Sequence, residues 1–367
     1  MTALEERDRM MAAADAAPAP GGDDRDAFLD ELRSALDAAV SANGTLRLTD
    51  VDQRGEGNSW ETYLVTATWA SASGEASETW AVKREPISGI VGDYDVAREV
   101  QLLDAAAGIG LRVPGVVSHA LPTPSSRGWF AMQKVAGRIP MPPTISVMVP
   151  NPDARLRLGR DIAAEMARLH TADPRGLHIP ALGTVPDGKE VGRIENDRWR
   201  AVYDETARIR IPILDLAFAW LDARADHVST RVALVHNDFR VGNLVIGEDS
   251  ITGVLDWETA HFSDPVADIA WFAQRTSRGR SPQWCKLIAE DQFLDAYEAV
   301  AGWRPSSRAL TWWNVQSLTK TAAGCLQAID IYARGERNEV RYSNMAHSLY
   351  FSLSWLNHML INREWGL

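Results

Sequence analysis

Cysteine is almost missing from this chain: Cys285 and Cys325 are the two in 367 residues. They are too few and too far apart for a zinc site, and both lie in apolar, helix-like stretches. No disulfide is expected, and a reducing cytoplasm is the expected setting. No apolar run approaches the length that spans a bilayer. The start, Met1-Thr-Ala-Leu-Glu-Glu-Arg-Asp8, lacks the basic and apolar regions of an export signal. Long basic runs are lacking too, and the net charge is −11, which argues against nucleic acid or an anionic membrane as partner. Paired histidines and the His-x₃-His spacing are absent, which weighs against a metal hydrolase built on His236, Asp238 and His261. Internal repeats and coiled-coil heptads are absent as well.

What remains has ordinary globular composition, 46% hydrophobic and 24% charged, and is long enough for two sub-domains with a shared core. Residues 12–24 are rich in Ala, Pro, Gly and Asp, and residues 1–25 read as a disordered tail. Phe28, Leu29, Leu32, Leu36, Ala39 and Val40 recur at helical spacing, predicting a helix over 26–42. Strand-like segments follow at 46–51, 62–69, 79–84, 113–119 and 129–135, with one helix inserted over 93–107. A Pro/Gly-rich break, Ala136-Gly-Arg-Ile-Pro-Met-Pro-Pro143, then marks a boundary. Beyond it the periodicity is helical over 153–171, 195–208, 213–224, 265–274, 291–301, 308–333 and 342–364. The expected architecture is therefore α+β and two-lobed: a small antiparallel sheet with one inserted helix over 26–137, and a larger, mainly helical lobe over 138–367.

Three short apolar runs interrupt the helical series: 232–235, 244–246 and 251–255. At their ends stand a carboxylate, Asp238, a carboxamide, Asn243, and a second carboxylate, Asp256. A hairpin through Gly247-Glu-Asp-Ser250 would return Asp256 to the side of Asn243. Two oxygen ligands would then face a third acidic group across a loop. That arrangement suits Mg²⁺ on a nucleotide, with a separate carboxylate beside an attacking hydroxyl. The plainer reading makes Asp238 and Asn243 turn residues, but it leaves the strand flanks and the distal Asp256 unexplained.

Two upstream features belong with this motif. Arg54-Gly-Glu-Gly-Asn-Ser-Trp60 joins two predicted strands; Gly55 and Gly57 let the backbone approach a ligand, and the amides through Asn58 and Ser59 would cradle phosphate oxygens. Ala81-Val-Lys83-Arg84 places a lysine within a strand, where its ammonium needs a counter-charge or a phosphate. Glu99 on the following helix is the expected partner, and Arg84 should face the other side of the strand. Met132-Gln-Lys-Val135 reads as the connector between lobes, so Gln133 and Val135 are the candidates for an adenine ring.

His236-Asn-Asp-Phe-Arg-Val-Gly-Asn243 with Leu255-Asp-Trp-Glu258 resembles the aminoglycoside phosphotransferase-like enzymes, over about residues 55–271. The resemblance implies the protein-kinase-like fold, with Asp238 as catalytic base and Asn243 and Asp256 as Mg²⁺ ligands. It implies Lys83 as the phosphate-binding lysine, with Glu99 as its ion-pair partner. Two departures stand out: Asn237 replaces a usual glycine, and Arg240 stands where histidine is frequent in the antibiotic kinases. His236 is expected to hold the catalytic loop, Asp264 to cap the helix that starts at Pro265, and Asp268 to brace the loop. Glu258 is read as a structural or metal-proximal carboxylate. Among the remaining aromatics, Trp312, Trp313 and Tyr350 are the first candidates for an acceptor pocket.

The reaction expected is transfer of the γ-phosphoryl group of ATP, with GTP as the alternative, to a hydroxyl of a small molecule. A non-catalytic nucleotide-binding pseudokinase is the competing reading. The acceptor is either an antibiotic (aminoglycoside or macrolide) or a metabolic, hydroxyacyl-type alcohol. Arg275, Arg278, Arg280, Lys286 and Lys320 tilt the choice toward a neutral or anionic acceptor.

Overall fold

The computed structural model describes residues 22–54, 60–86, 94–141, 143–335 and 342–362. Helix α1 (Gly22–Ala39) precedes strands β1 (Arg47–Arg54), β2 (Glu61–Ser71) and β3 (Gly74–Arg84), helix α2 (Val96–Gly108), and strands β4 (Val116–Ala120) and β5 (Trp129–Gln133). The strands form one antiparallel sheet in the order β1-β2-β3-β5-β4. This is the expected five-stranded lobe with one inserted helix.

Strand alternation decides where each side chain of β3 goes. Trp80, Val82 and Arg84 are buried toward α1, whereas Lys83 takes the opposite face. Phe28, Leu32 and Leu36 of α1, about one turn apart, pack with Tyr63, Val65, Trp80 and Trp129 into a core of their own. The helix begins at Gly22 rather than Asp26, so Asp24 lies in its first turn and not in a tail. There its carboxylate pairs with Arg84 at 2.6 Å and Arg127 at 2.8 Å. The tail expected over 1–21 lies outside the described residues. On the other face of the sheet, α2 is capped by Asp95, whose side chain accepts from the Arg98 N–H. Its Val96, Val100 and Leu103 join Trp60, Phe130 and Met132 in the main core.

The lobes meet where the backbone passes Gly137. Arg138 and Ile246 exchange backbone hydrogen bonds of 2.9 Å, and the Thr252 hydroxyl donates to the Ala136 carbonyl at 2.6 Å. Gly137 has φ +137°, and a Cβ there would meet the Ile246 carbonyl at 2.6 Å. Arg112, between α2 and β4, adds a second tie. Its guanidinium reaches Asp161 and Glu165, each at 2.8 Å, on α3 (Pro152–Thr171) and donates to the Ile251 carbonyl at 2.9 Å.

The second lobe continues with α4 (Val191–Thr206), α5 (Pro212–Asp222), β6 (Ala233–Val235), β7 (Leu244–Ile246), β8 (Ile251–Val254), β9 (His261–Ser263), α6 (Val266–Ala273), α7 (Glu290–Ala301), α8 (Ser307–Ala333) and α9 (Ser343–Leu360). The expected β7–β8 hairpin forms. Strand β6 pairs instead with β9, a three-residue strand whose sequence carries no alternation to announce it. Cys325 lies in α8 as expected, but Cys285 occupies a loop at φ +47°, its thiol donating to the Phe272 carbonyl at 3.2 Å. Both thiols are buried and free.

Candidate active site

The segment between β6 and β7 is held in shape by α6. Asp268, fully buried on that helix, accepts the N–H groups of His236 at 2.8 Å and Asn237 at 2.6 Å, with His170 Nε2 at 3.1 Å. Burial works against its charge, but the His170 contact and the loop hold the carboxyl below the usual carboxylate range. Asp268 thus braces the loop, as expected. His236 Nε2–H donates to the Leu255 carbonyl at 2.9 Å, and Nδ1 accepts the Asp238 N–H at 3.3 Å. Both ring nitrogens are engaged, so His236 is a structural residue and not a base. Asp264 accepts the Val266 N–H at 3.0 Å, which is the expected cap, and also holds Ser229.

Asp238 sits at the centre of the donors. Trp271 Nε1–H reaches Oδ1 at 2.7 Å, Asn243 Nδ2–H reaches Oδ2 at 2.6 Å, and Arg240 Nε–H spans both oxygens at 3.0 and 3.1 Å. The Asn243 amide nitrogen also meets the Asp238 carbonyl at 3.0 Å, which turns the amide oxygen the other way. The Leu255 N–H donates to the Asn243 carbonyl at 2.8 Å, so the turn after β8 brings Asp256 beside Asn243. Asp256 adopts φ +71°, a left-handed backbone uncommon for a residue other than glycine, and its carboxylate crosses the cleft.

There it meets Lys83 at 2.8 Å. This differs from the expected Lys83–Glu99 pair: the left-handed turn delivers the Asp256 oxygen to the ammonium, and Glu99 lines a small recess together with Lys83. Leu103, Phe130 and Trp257 help to line that recess. Burial opposes the Lys83 charge, yet Asp256, Glu99 and Glu258 hold the ammonium above its ordinary value. Glu99 is buried, and burial pushes its carboxyl up to about 8 against the pull of Lys83. For Asp256 burial is the largest influence and opposes the charge, but Lys83 together with His236 and Arg240 lowers the carboxyl.

Several expectations meet other surroundings. Gly55, Gly57, Asn58 and Ser59 lie outside the described residues. Gln133 pairs with Trp80, and its N–H is spent on the Gly115 carbonyl at 2.9 Å, so its backbone donor is committed within the lobe. Val135 packs over Gly253, where an added Cβ would come within 3.0 Å of it. Trp312 and Trp313 are core residues, not pocket walls: their indoles donate to the Leu221 carbonyl at 3.1 Å and to Asp264 at 2.9 Å. Tyr350 on α9 is 70% exposed.

Sequence reasoning missed Trp271 and the Glu195–His261 pair. The i, i+3 spacing of Asp268 and Trp271 on one helix was the available signal for Trp271. His261 Nδ1 faces the Thr259 carbonyl at 2.9 Å and Nε2 faces the Glu195 carboxylate. Burial opposes the Glu195 charge, but His261 holds that carboxyl at about 2. His236 and His261 are therefore each committed elsewhere, and among the described residues no three His, Cys, Asp or Glu side chains gather as a metal cage. No described helix is long and apolar enough to cross a membrane.

Comparison with known proteins agrees with this geometry. The model of the phosphotransferase enzyme family matches residues 50–304. Acyl-CoA dehydrogenase family member 11 of Gallus gallus is 26% identical over 204 residues, 54% of this chain and 26% of the chicken protein. The chain thus spans about a quarter of the length of the curated relatives it matches. A Ralstonia eutropha structure assigned provisionally to the aminoglycoside phosphotransferases superposes with a TM-score of 0.67 at 18% identity, covering 88% of this chain and 98% of its own. The GDP complex of aminoglycoside 2'-phosphotransferase-IIIa gives 0.57 at 18% identity, covering 84% and 93%. These structures share the two-lobed kinase-like fold.

Proposed function

The chain belongs to the phosphotransferase enzyme family, and we propose that it moves the γ-phosphoryl group of ATP, with GTP as the alternative donor, to a hydroxyl of a small molecule. One observation carries the reading: Asn243 is bonded to Asp238 and accepts the N–H of Leu255, and the next residue, Asp256, pairs with Lys83 of the other lobe. Asp238 accepts the proton of the incoming hydroxyl, and its three side-chain donors keep both oxygens oriented. The Lys83 ammonium faces the phosphates.

The donor set suits a hard divalent cation. Asn243 turns an oxygen away from Asp238, and Asp256 directly follows Leu255, whose N–H the Asn243 carbonyl accepts. These two residues would hold Mg²⁺, which when bound offsets charge on the phosphate oxygens.

The nature of the acceptor follows from charge. Arg240 is bonded to Asp238, and the Lys320 ammonium lies 4.1 Å from the ring of Trp271, which itself touches Asp238. Cations beside the base disfavour a polycationic aminoglycoside. They favour a hydroxylated acid or acyl thioester, in keeping with the acyl-CoA dehydrogenase names of the curated relatives.

Asp238→Asn is the decisive variant. Turnover of MgATP with a panel of hydroxy acids and hydroxyacyl thioesters should fall about 10² to 10⁴-fold, with nucleotide affinity kept. Wild-type turnover in that variant would remove Asp238 from the mechanism. A wild-type protein that binds MgATP but phosphorylates nothing would leave the pseudokinase reading in its place.

A further inference from the structure

Lys320 is buried on α8, and its partners are unusual for a buried ammonium. It donates to the backbone carbonyl and to Oδ1 of Asn237, each at 2.7 Å, and its Nζ lies 4.1 Å from the centre of the Trp271 ring. Two oxygens of one residue and an aromatic face stand where a carboxylate would be expected. Burying a charge on such terms is costly, and burial pulls the Lys320 ammonium down to about 8. Packing alone would be served as well by an apolar side chain.

What the arrangement does is hold the residue before the base. Asn237 stands at φ +65°. All four of its polar groups are engaged: its N–H with Asp268 at 2.6 Å, its carbonyl and Oδ1 with Lys320, and its Nδ2 with the Thr259 carbonyl at 3.3 Å. A glycine would keep the backbone angle and lose both side-chain contacts. The same lysine covers the face of Trp271, whose indole N–H ends on Asp238 Oδ1 at 2.7 Å. Lys320 therefore reaches Asp238 by two routes, one through the backbone of Asn237 and one through the indole.

We propose that Lys320 and Trp271 are positioning residues: together with Asn237 they form a cation-aromatic brace that sets the direction of the Asp238 carboxylate. The assignment rests on the phosphotransferase reading. It explains why asparagine, at a left-handed position that suits glycine, is useful here. It also makes α8, far along the chain from the catalytic loop, part of the machinery that aims the base.

The test uses the full chain and MgATP, with water as the acceptor and ADP release as the readout, beside MgADP affinity by calorimetry and the thermal midpoint. Trp271→Phe keeps an aromatic face and removes the N–H with its five-membered ring; Lys320→Met removes the cation; Asn237→Gly removes the side-chain partner. A hydrogen bond to a charged group is worth about tenfold or more in rate. Trp271→Phe and Lys320→Met are expected to lower kcat by that factor with KM for MgATP unchanged, and Asn237→Gly by less. Combining Trp271→Phe with Lys320→Met should cost less than the product of the two, since both act on one carboxylate. Unchanged kcat in Trp271→Phe and Lys320→Met overturns the proposal. So does a fall in kcat that merely tracks a lower thermal midpoint and weaker MgADP binding, because that is a packing role. A wild-type protein that neither binds MgADP nor releases ADP overturns the phosphotransferase reading, and this assignment with it.

Discussion

Lys83 Nζ lies 2.8 Å from Asp256 Oδ1, which ties the inner face of β3 to the turn after β8 in the other lobe. The contact joins the cation proposed to face the phosphates to a carboxylate proposed to hold the divalent ion, and each favours the charge of the other. Lys83→Met should weaken MgADP binding by about tenfold or more, since Asp256 loses the ammonium that holds its carboxyl low. Calorimetric titration measures this directly, and a wild-type Kd would place Lys83 away from the phosphates.

Glu99 yields a pH signature. Its ordinary value is 4.5, and burial pushes it to about 8 in the folded protein. A carboxyl raised in the folded state favours folding while it keeps its proton. Stability is therefore lost as pH climbs from the unfolded value to the folded one, and the loss is complete above about 8. Glu99→Gln carries no such penalty. Its thermal midpoint, relative to wild type, should rise steadily across that window and level off above it. A difference that does not vary with pH would mean that Glu99 is ionised throughout.

Asp268→Ala removes one carboxylate from three partners, the N–H groups of His236 and Asn237 and the ring of His170. Buried donors left without an acceptor make this the most destabilising single change expected in the site, roughly 3–5 kcal/mol. Urea unfolding measures it. A loss under about 1 kcal/mol would show that the loop keeps its shape without the brace.

Gly137→Ala should loosen the junction of the lobes. The added Cβ would stand 2.6 Å from the Ile246 carbonyl and 2.7 Å from Val245 Cγ1, at a φ of +137°. Backbone cannot yield as a side-chain tip can, so a cost of about 1–3 kcal/mol is expected, with faster hydrogen exchange at Arg138 and Ile246. Wild-type exchange at those two amides would mean that the junction tolerates the shift.

Much of the architecture is legible in the sequence. Phe28, Leu32 and Leu36 announce α1 by spacing, and the hairpin that returns Asp256 to Asn243 is written in two apolar runs and a four-residue polar turn. Asp264 and Asp268, four residues apart, have the capping and bracing roles their position on a helix start suggests. The failures have a common character. The three-residue strand β9 is too short to show a period, Trp312 and Trp313 carry the same apolar signal in a core as in a pocket, and Cys285 leaves its helix-like context through a left-handed turn.

The amino-acid order by itself determined most of the helices and strands and the β7–β8 hairpin that links Asn243 to Asp256, because those features depend on neighbours within a few residues. Only the tertiary structure decided that Lys83 meets Asp256, a residue 173 positions away, in preference to Glu99. It likewise decided that Trp271 meets Asp238 and that Lys320 meets Asn237 and the Trp271 ring. Such choices depend on which buried charge lies near enough to offset another, and a chain's local periodicity holds no record of that distance.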